Sequence, residues 1–226
     1  MLGSLIRTLL KTGDRASAQA APALRRLHLG CGRDIRAGWI NLDVSPLPGV
    51  AVVADLDDGR NTPLPFGDAS LDEFFASHVL EHLRNPLPFM QELHRVASAG
   101  ATAVFCVPYG SSDDADADPT HMRRYFTNSF HFFSQLAYRE KDYGYRGDWE
   151  PASIVLTVAA EAYAGVSDEQ MLDDIRSRRN VVLEMVATLR AVKPLRTAGS
   201  QEAAPMHVTV HRVPFAERKN RPKQLP

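Results

Sequence analysis

Apolar positions in the first half of the chain come in short runs that stop on glycine or on an acid. Leu27 and Leu29 flank His28, and the run breaks at Gly30-Cys31-Gly32. Ile40-Asn41-Leu42-Asp43 and Val50-Ala51-Val52-Val53-Ala54-Asp55 then each end on an aspartate. These runs predict strands over residues 26–29, 39–44 and 50–54, and Phe74 and Phe75 suit a fourth over 71–76. Only residues 30–38 separate the first two strands. That is near the lower limit for a crossover between parallel neighbours, so an antiparallel pair stays open.

The period then changes. Phe89, Met90, Leu93 and Val96 recur at three- and four-residue spacing behind Pro86 and Pro88, predicting a helix from Asn85 to Gly100. Residues 101–107 are almost continuously apolar, as in a strand covered on both faces. Residues 108–120 read as a long polar loop, and Thr127 as the N-cap of a helix reaching 138. Residues 153–158 form a strand candidate. Ser167-Asp168-Glu169-Gln170 fits a capping box opening a helix to about Val192, and residues 206–213 alternate as a last strand. Strand and helix signals in this succession predict an α/β domain of the doubly wound type over residues 23–213, with a helical insertion at about 162–200. Residues 1–22 form a helix and linker in this reading, and 214–226 a basic, solvated tail.

Composition narrows the class. The chain has 226 residues, 44% hydrophobic and 23% charged, with a net charge of −1. Such a balance suits a globule with a sizeable core and argues against a nucleic-acid surface. The two cysteines, Cys31 and Cys106, suit a reducing cytoplasm better than a disulfide framework. No apolar run is long enough to cross a membrane. Leu2, Leu5, Ile6, Leu9 and Leu10 lie at helical spacing but are interrupted by Arg7, which favours a docking helix over a signal peptide.

The candidate chemistry lies at the strand ends. Two glycines after a first strand let a ligand approach the backbone, and in doubly wound folds a nucleotide lies across such a turn. Asp43 is placed to accept from both hydroxyls of a ribose, and Asp55 from the exocyclic amine of an adenine. Each aspartate alone is equally well explained as a cap or turn residue. In the long loop, His121 has Tyr125 and Phe126 beside it and Asp118 within reach, making it the first candidate general base; His78 is the second.

Leu27-His28-Leu29-Gly30-Cys31-Gly32, Gly38-Trp39-Ile40-Asn41-Leu42-Asp43, Leu64-Pro65-Phe66 with Asp68, and His78-Val79-Leu80-Glu81-His82 occur in that order. Together they resemble the class I S-adenosylmethionine-dependent methyltransferases, above all small methyltransferase-domain proteins with an LGCG turn and a VLEH segment. The resemblance spans residues 25–108 and extends loosely to Asp118-Pro119-Thr120-His121. It implies a Rossmann-like, seven-stranded mixed sheet with a reversed last strand. It also implies that Gly30, Cys31 and Gly32 face the methionine part of the cofactor. Asp43 would hold the ribose, Asp55 and the backbone of Leu56 the adenine, and Ser77 and His78 the other side. His28 stands where many relatives have an acid.

The expected activity is therefore metal-independent transfer of a methyl group from S-adenosylmethionine to a small-molecule or glycan acceptor, with the oligomeric state open and a homodimer one option. A non-catalytic binding module on the same fold is the alternative. His78-x-x-Glu81-His82 also matches the inverted zinc-protease pattern, which requires both histidines on one helical face. Its position directly after a strand argues against that geometry, and no metal is expected.

Overall fold

The computed structural model describes residues 24–58, 62–138, 143–200 and 206–214. Four strands open the chain: β1 (Arg26–Leu29), β2 (Ile40–Asp43), β3 (Val52–Val53) and β4 (Leu71–Ser77). Helix α1 (Pro86–Val96) runs directly into β5 (Ala97–Pro108). After the short α2 (Asp114–Ala117) come β6 (Trp149–Ala159), α3 (Asp168–Ser177), β7 (Val182–Ala191) and β8 (His207–Val213). The strands form one sheet ordered β3-β2-β1-β4-β5-β7-β6-β8. β1 to β5 are parallel, β7 is antiparallel to both neighbours, and β8 is parallel to β6.

The first two strands are parallel despite their short connection, because one side chain staples it. Asn41 Oδ1 accepts from the Arg36 amide at 3.0 Å, and its Nδ2 donates to the carbonyls of Arg36 and Trp39 at 3.1 and 3.3 Å. Arg36 also places its guanidinium 3.7 Å from the centre of the Phe75 ring on β4. The buried amide thus replaces the hydrogen bonds that a crossover helix would have supplied.

Four expectations are corrected. The helix opened by Ser167, whose side chain accepts from the Gln170 amide, ends at Ser177, and the rest of the supposed insertion is β7. Val182, Met185, Ala187, Leu189 and Ala191 are buried between β5 and β6. Between these positions Leu183, Glu184, Val186, Thr188 and Arg190 are not buried, so one face of β7 is covered, but the apolar Leu183 and Val186 among them blur the alternation in the sequence. The sheet accordingly has eight strands instead of seven, and the reversed strand is β7, not the last. Helix α1 stops at Val96, not at Gly100, because Ala97 already pairs with Leu71 and the register then jumps to Glu73 opposite Thr102. Gly100, at φ +77°, turns that bulge. The helix expected from Thr127 is two 3₁₀ segments, Thr127–Phe133 and Gln135–Ala137, which bury Phe130 and Phe133. The N-terminal helix and the tail beyond residue 214 lie outside the described residues.

Candidate active site

Because β3, β2, β1 and β4 are adjacent and parallel, their C-terminal ends meet on one edge. That edge brings together Gly30, Cys31 and Gly32 after β1, Asp43 at the tip of β2, Asp55 and Leu56 after β3, and Ser77 and His78 at the end of β4. The turn is drawn tight by backbone and side chain together. The Cys31 amide donates to the Leu42 carbonyl at 2.9 Å, and the Gly32 amide donates to Asp43 Oδ2 at 2.7 Å. Asp43 Oδ1 accepts from the Ser45 amide at 2.9 Å.

The two glycines serve different ends. Both have positive φ, +57° and +52°. A Cβ on Gly30 would lie 2.4 Å from Val79 Cγ2, so this residue lets the segment after β4 approach the turn. A Cβ on Gly32 would meet nothing within 4 Å. The open face is therefore at Gly32, directly beside the Asp43 carboxylate. Each carboxylate oxygen has accepted one bond and can accept another. A carboxylate so placed can accept from two neighbouring hydroxyls of a ligand lying on the turn. Burial, with Asp43 and Asp34 nearby, pushes the Cys31 thiol up, so it stays neutral.

Asp55 is exposed and accepts from the Asp57 amide at 2.9 Å, capping the 3₁₀ turn Leu56–Asp58. Asp57, which the sequence did not single out, reaches back to the Arg84 amide at 2.9 Å and ties this turn to the segment after β4. Ser77 is buried, and His78 adopts φ +56°.

His78 contacts Glu81 Oε1 through Nδ1 at 3.1 Å and Glu184 Oε1 through Nε2 at 3.0 Å. Hydrogen bonding to Cys106 and to these two carboxylates pushes its pKa up to about 12 against the opposing effect of burial. An imidazolium so held has no lone pair with which to take a proton, which speaks against His78 as the base. Glu184 was hidden inside the misread helix. His78 and His82 also do not share a helical face: Leu80–His82 is a single 3₁₀ turn, and His82 turns to His121 with ring centres 4.8 Å apart. The metalloprotease geometry is thus absent here.

His121 reaches the same edge through the backbone. The amides of Met122 and Arg123 both donate to the Glu81 carbonyl, at 2.6 and 3.0 Å, and bind the loop after β5 to the segment after β4. His121 Nδ1 lies 3.2 Å from the Ala115 carbonyl, and Asp118 Oδ2 is 3.9 Å from its Nε2. Tyr125 donates to the Leu80 carbonyl and is buried, and Tyr109 is buried too, so both act in packing.

Comparison with known proteins agrees with this geometry. Residues 20–105 match the family model described as a methyltransferase domain. A protein of Bacillus halodurans assigned as a methyltransferase shares the fold at 14% identity, with a TM-score of 0.50 over 77% of this chain and 95% of its own. An S-adenosylmethionine-dependent methyltransferase from Archaeoglobus fulgidus is 18% identical over 75% of this chain and 86% of its own, with a TM-score of 0.48. No curated protein sequence matches. The family match covers residues 20–105, under half of the chain, and the sheet around it is Rossmann-like. Residues 20–105 are thus similar to a methyltransferase domain, an enzyme domain for which S-adenosylmethionine is the expected cofactor. Among the described residues, no helix is long and apolar enough to cross a membrane.

Proposed function

We propose that the chain moves a methyl group from S-adenosylmethionine to a small-molecule or glycan acceptor by direct in-line displacement. The observation that carries the reading is the Asp43 carboxylate beside the uncovered face of Gly32, at the edge where four parallel strands end. The donor's sulfonium supplies its own leaving group. What the chain must contribute is alignment, which is worth up to about 7–11 kcal/mol. In this reading Asp43 holds the ribose, Asp55 and Leu56 frame the adenine, and Gly30, Cys31, Gly32, Ser77 and His78 line the rest. His78 contributes a fixed positive charge, and His121 is the group that meets the acceptor.

A cavity of about 580 Å³ is lined by Asn85 and Arg123 and not by His121 or Asp43, so in this reading it takes the remote part of a small acceptor whose reacting end lies at the strand edge. Arg123, Asn85 and Asn128 supply polar groups there, and Tyr125, Phe126 and Phe132 supply ring faces. Such a volume is typical of a small-molecule site, and rings with a few amides also suit a sugar. Calorimetric titration with S-adenosylhomocysteine tests the donor half of the proposal. Saturable binding is expected, and none at millimolar ligand would refute it.

A further inference from the structure

We infer that Glu81, His82 and His121 form a binding site for a divalent transition-metal ion. Ligand atoms of the three residues lie within 4.8 Å of one another. The three are brought together by the loop after β5 folding onto the turn after β4, where Met122 and Arg123 hold the Glu81 carbonyl. The inference goes beyond methyl transfer and stands without it.

The carboxylate is the first observation. Glu81 is 1% exposed; its Oε1 is engaged by His78, and its Oε2 is buried without a hydrogen-bond partner. A carboxylate oxygen buried and unpaired is costly, and such oxygens are found where an ion completes the set.

The imidazoles are the second, and their partners decide their protonation. Thr120 Oγ1 donates to Asp118 Oδ1 at 2.6 Å, so toward His82 Nδ1, at 3.0 Å, it acts as acceptor. The Ala115 carbonyl near His121 Nδ1 can only accept. Both rings therefore carry their proton on Nδ1 and keep the lone pair on Nε2. Metal-binding histidines are oriented in this way, with the second nitrogen donating to a carbonyl or, through a hydroxyl, to a carboxylate. Asp118 adds negative charge 3.9 Å from His121 Nε2.

Two imidazoles and a carboxylate favour zinc or a neighbouring transition metal over magnesium or calcium, which prefer oxygen alone. Ligand bonds of about 2.0–2.2 Å require the three groups to draw in slightly, and they leave a fourth position for a water or an acceptor oxygen. With an ion bound, the His121 lone pair would be engaged as a ligand, and the metal-free expectation would no longer hold.

The test uses the full chain, stripped with chelator and titrated with Co²⁺, followed by displacement with Zn²⁺ and elemental analysis. About one equivalent of zinc and a tetrahedral cobalt absorption band are expected. His82→Ala and His121→Ala should each abolish the band, and Thr120→Val should weaken binding by about 10–100-fold. His207→Ala, which removes an exposed histidine on β8, should change nothing. Glu81→Gln should fold and bind S-adenosylhomocysteine while losing the metal, since it leaves the Asp43 turn intact. No binding below millimolar metal, or equal binding by the wild type and both histidine variants, would overturn the site. Loss of S-adenosylhomocysteine binding alone would bear on the methyltransferase reading and not on this one.

Discussion

Asp43 at the end of β2 and Gly32 in the turn after β1 are joined by a 2.7 Å amide-to-carboxylate hydrogen bond, and this bond ties the two strand ends together. The same carboxylate is the group expected to take the ribose hydroxyls. Asp43→Ala should therefore weaken S-adenosylhomocysteine binding by about 1–3 kcal/mol, the loss of a charge-assisted acceptor. Calorimetry measures this directly. Unchanged affinity would remove Asp43 from the site.

Gly30 and Val79 form a steric pair. Gly30→Ala puts a methyl group 2.4 Å from Val79 Cγ2 at a φ of +57°, so two penalties add. Overpacking of this kind costs about 1–3 kcal/mol, with backbone strain on top. Urea denaturation should show the loss. Adding Val79→Ala should return the steric share and leave the backbone share. A double variant no better than the single one would place the whole cost in the backbone.

Asp148 is fully buried and holds Arg196 by two contacts of 2.8 Å, to Nε and to Nη2, while the Gln135 amide donates to it at 3.1 Å. Burial raises its pKa, but Arg196 and the backbone amides outweigh that and leave it below the ordinary carboxylate range. The folded pKa being depressed, the stabilisation is present above the unfolded value of about 3.9 and lost as pH falls toward the folded one. Asp148→Ala strands a half-buried guanidinium and should cost about 3–5 kcal/mol at neutral pH. Its stability should also vary less with pH in the acid range. Denaturant midpoints measured across that range check both.

His94 lies against Trp149 with ring centres 5.9 Å apart and bonds the Val192 carbonyl through Nε2 at 2.9 Å. Burial, aided by Lys193 and opposed by the Val192 carbonyl and Asp148, lowers its pKa from 6.5. The unfolded chain then binds this proton more readily, so stability is complete above pH 6.5 and declines as pH falls below it. His94→Gln should flatten that part of the profile. An equally steep decline in the variant would assign it to other groups.

The grouping of the glycine turn with Asp43 and Asp55 at one sheet edge was legible in the chain because its parts are local: glycines after a run of leucines, and acids that end strands. Adjacency of β3, β2 and β1 then follows from successive strands pairing. The second cluster was only half legible. Glu81 and His82 stand in a recognisable segment, but His121 is far along the chain, and only the loop after β5 closing on the Glu81 carbonyl joins them. His78 was singled out as a base, yet Glu184, which helps hold it protonated, arrives from β7.

What the amino-acid order by itself determined was the parallel α/β half and the cofactor it suits, since turn chemistry and strand-end acids act over a few residues. What only the tertiary structure decided was β7, which raises the strand count from seven to eight, and the grouping of the histidines. In residues 181–191 the alternation of Met185, Ala187, Leu189 and Ala191 is blurred by Val181, Val182, Leu183 and Val186, which are apolar too. The run becomes a strand because β5 and β6 offer it backbone partners on both sides, and that pairing is settled between segments far apart in the chain.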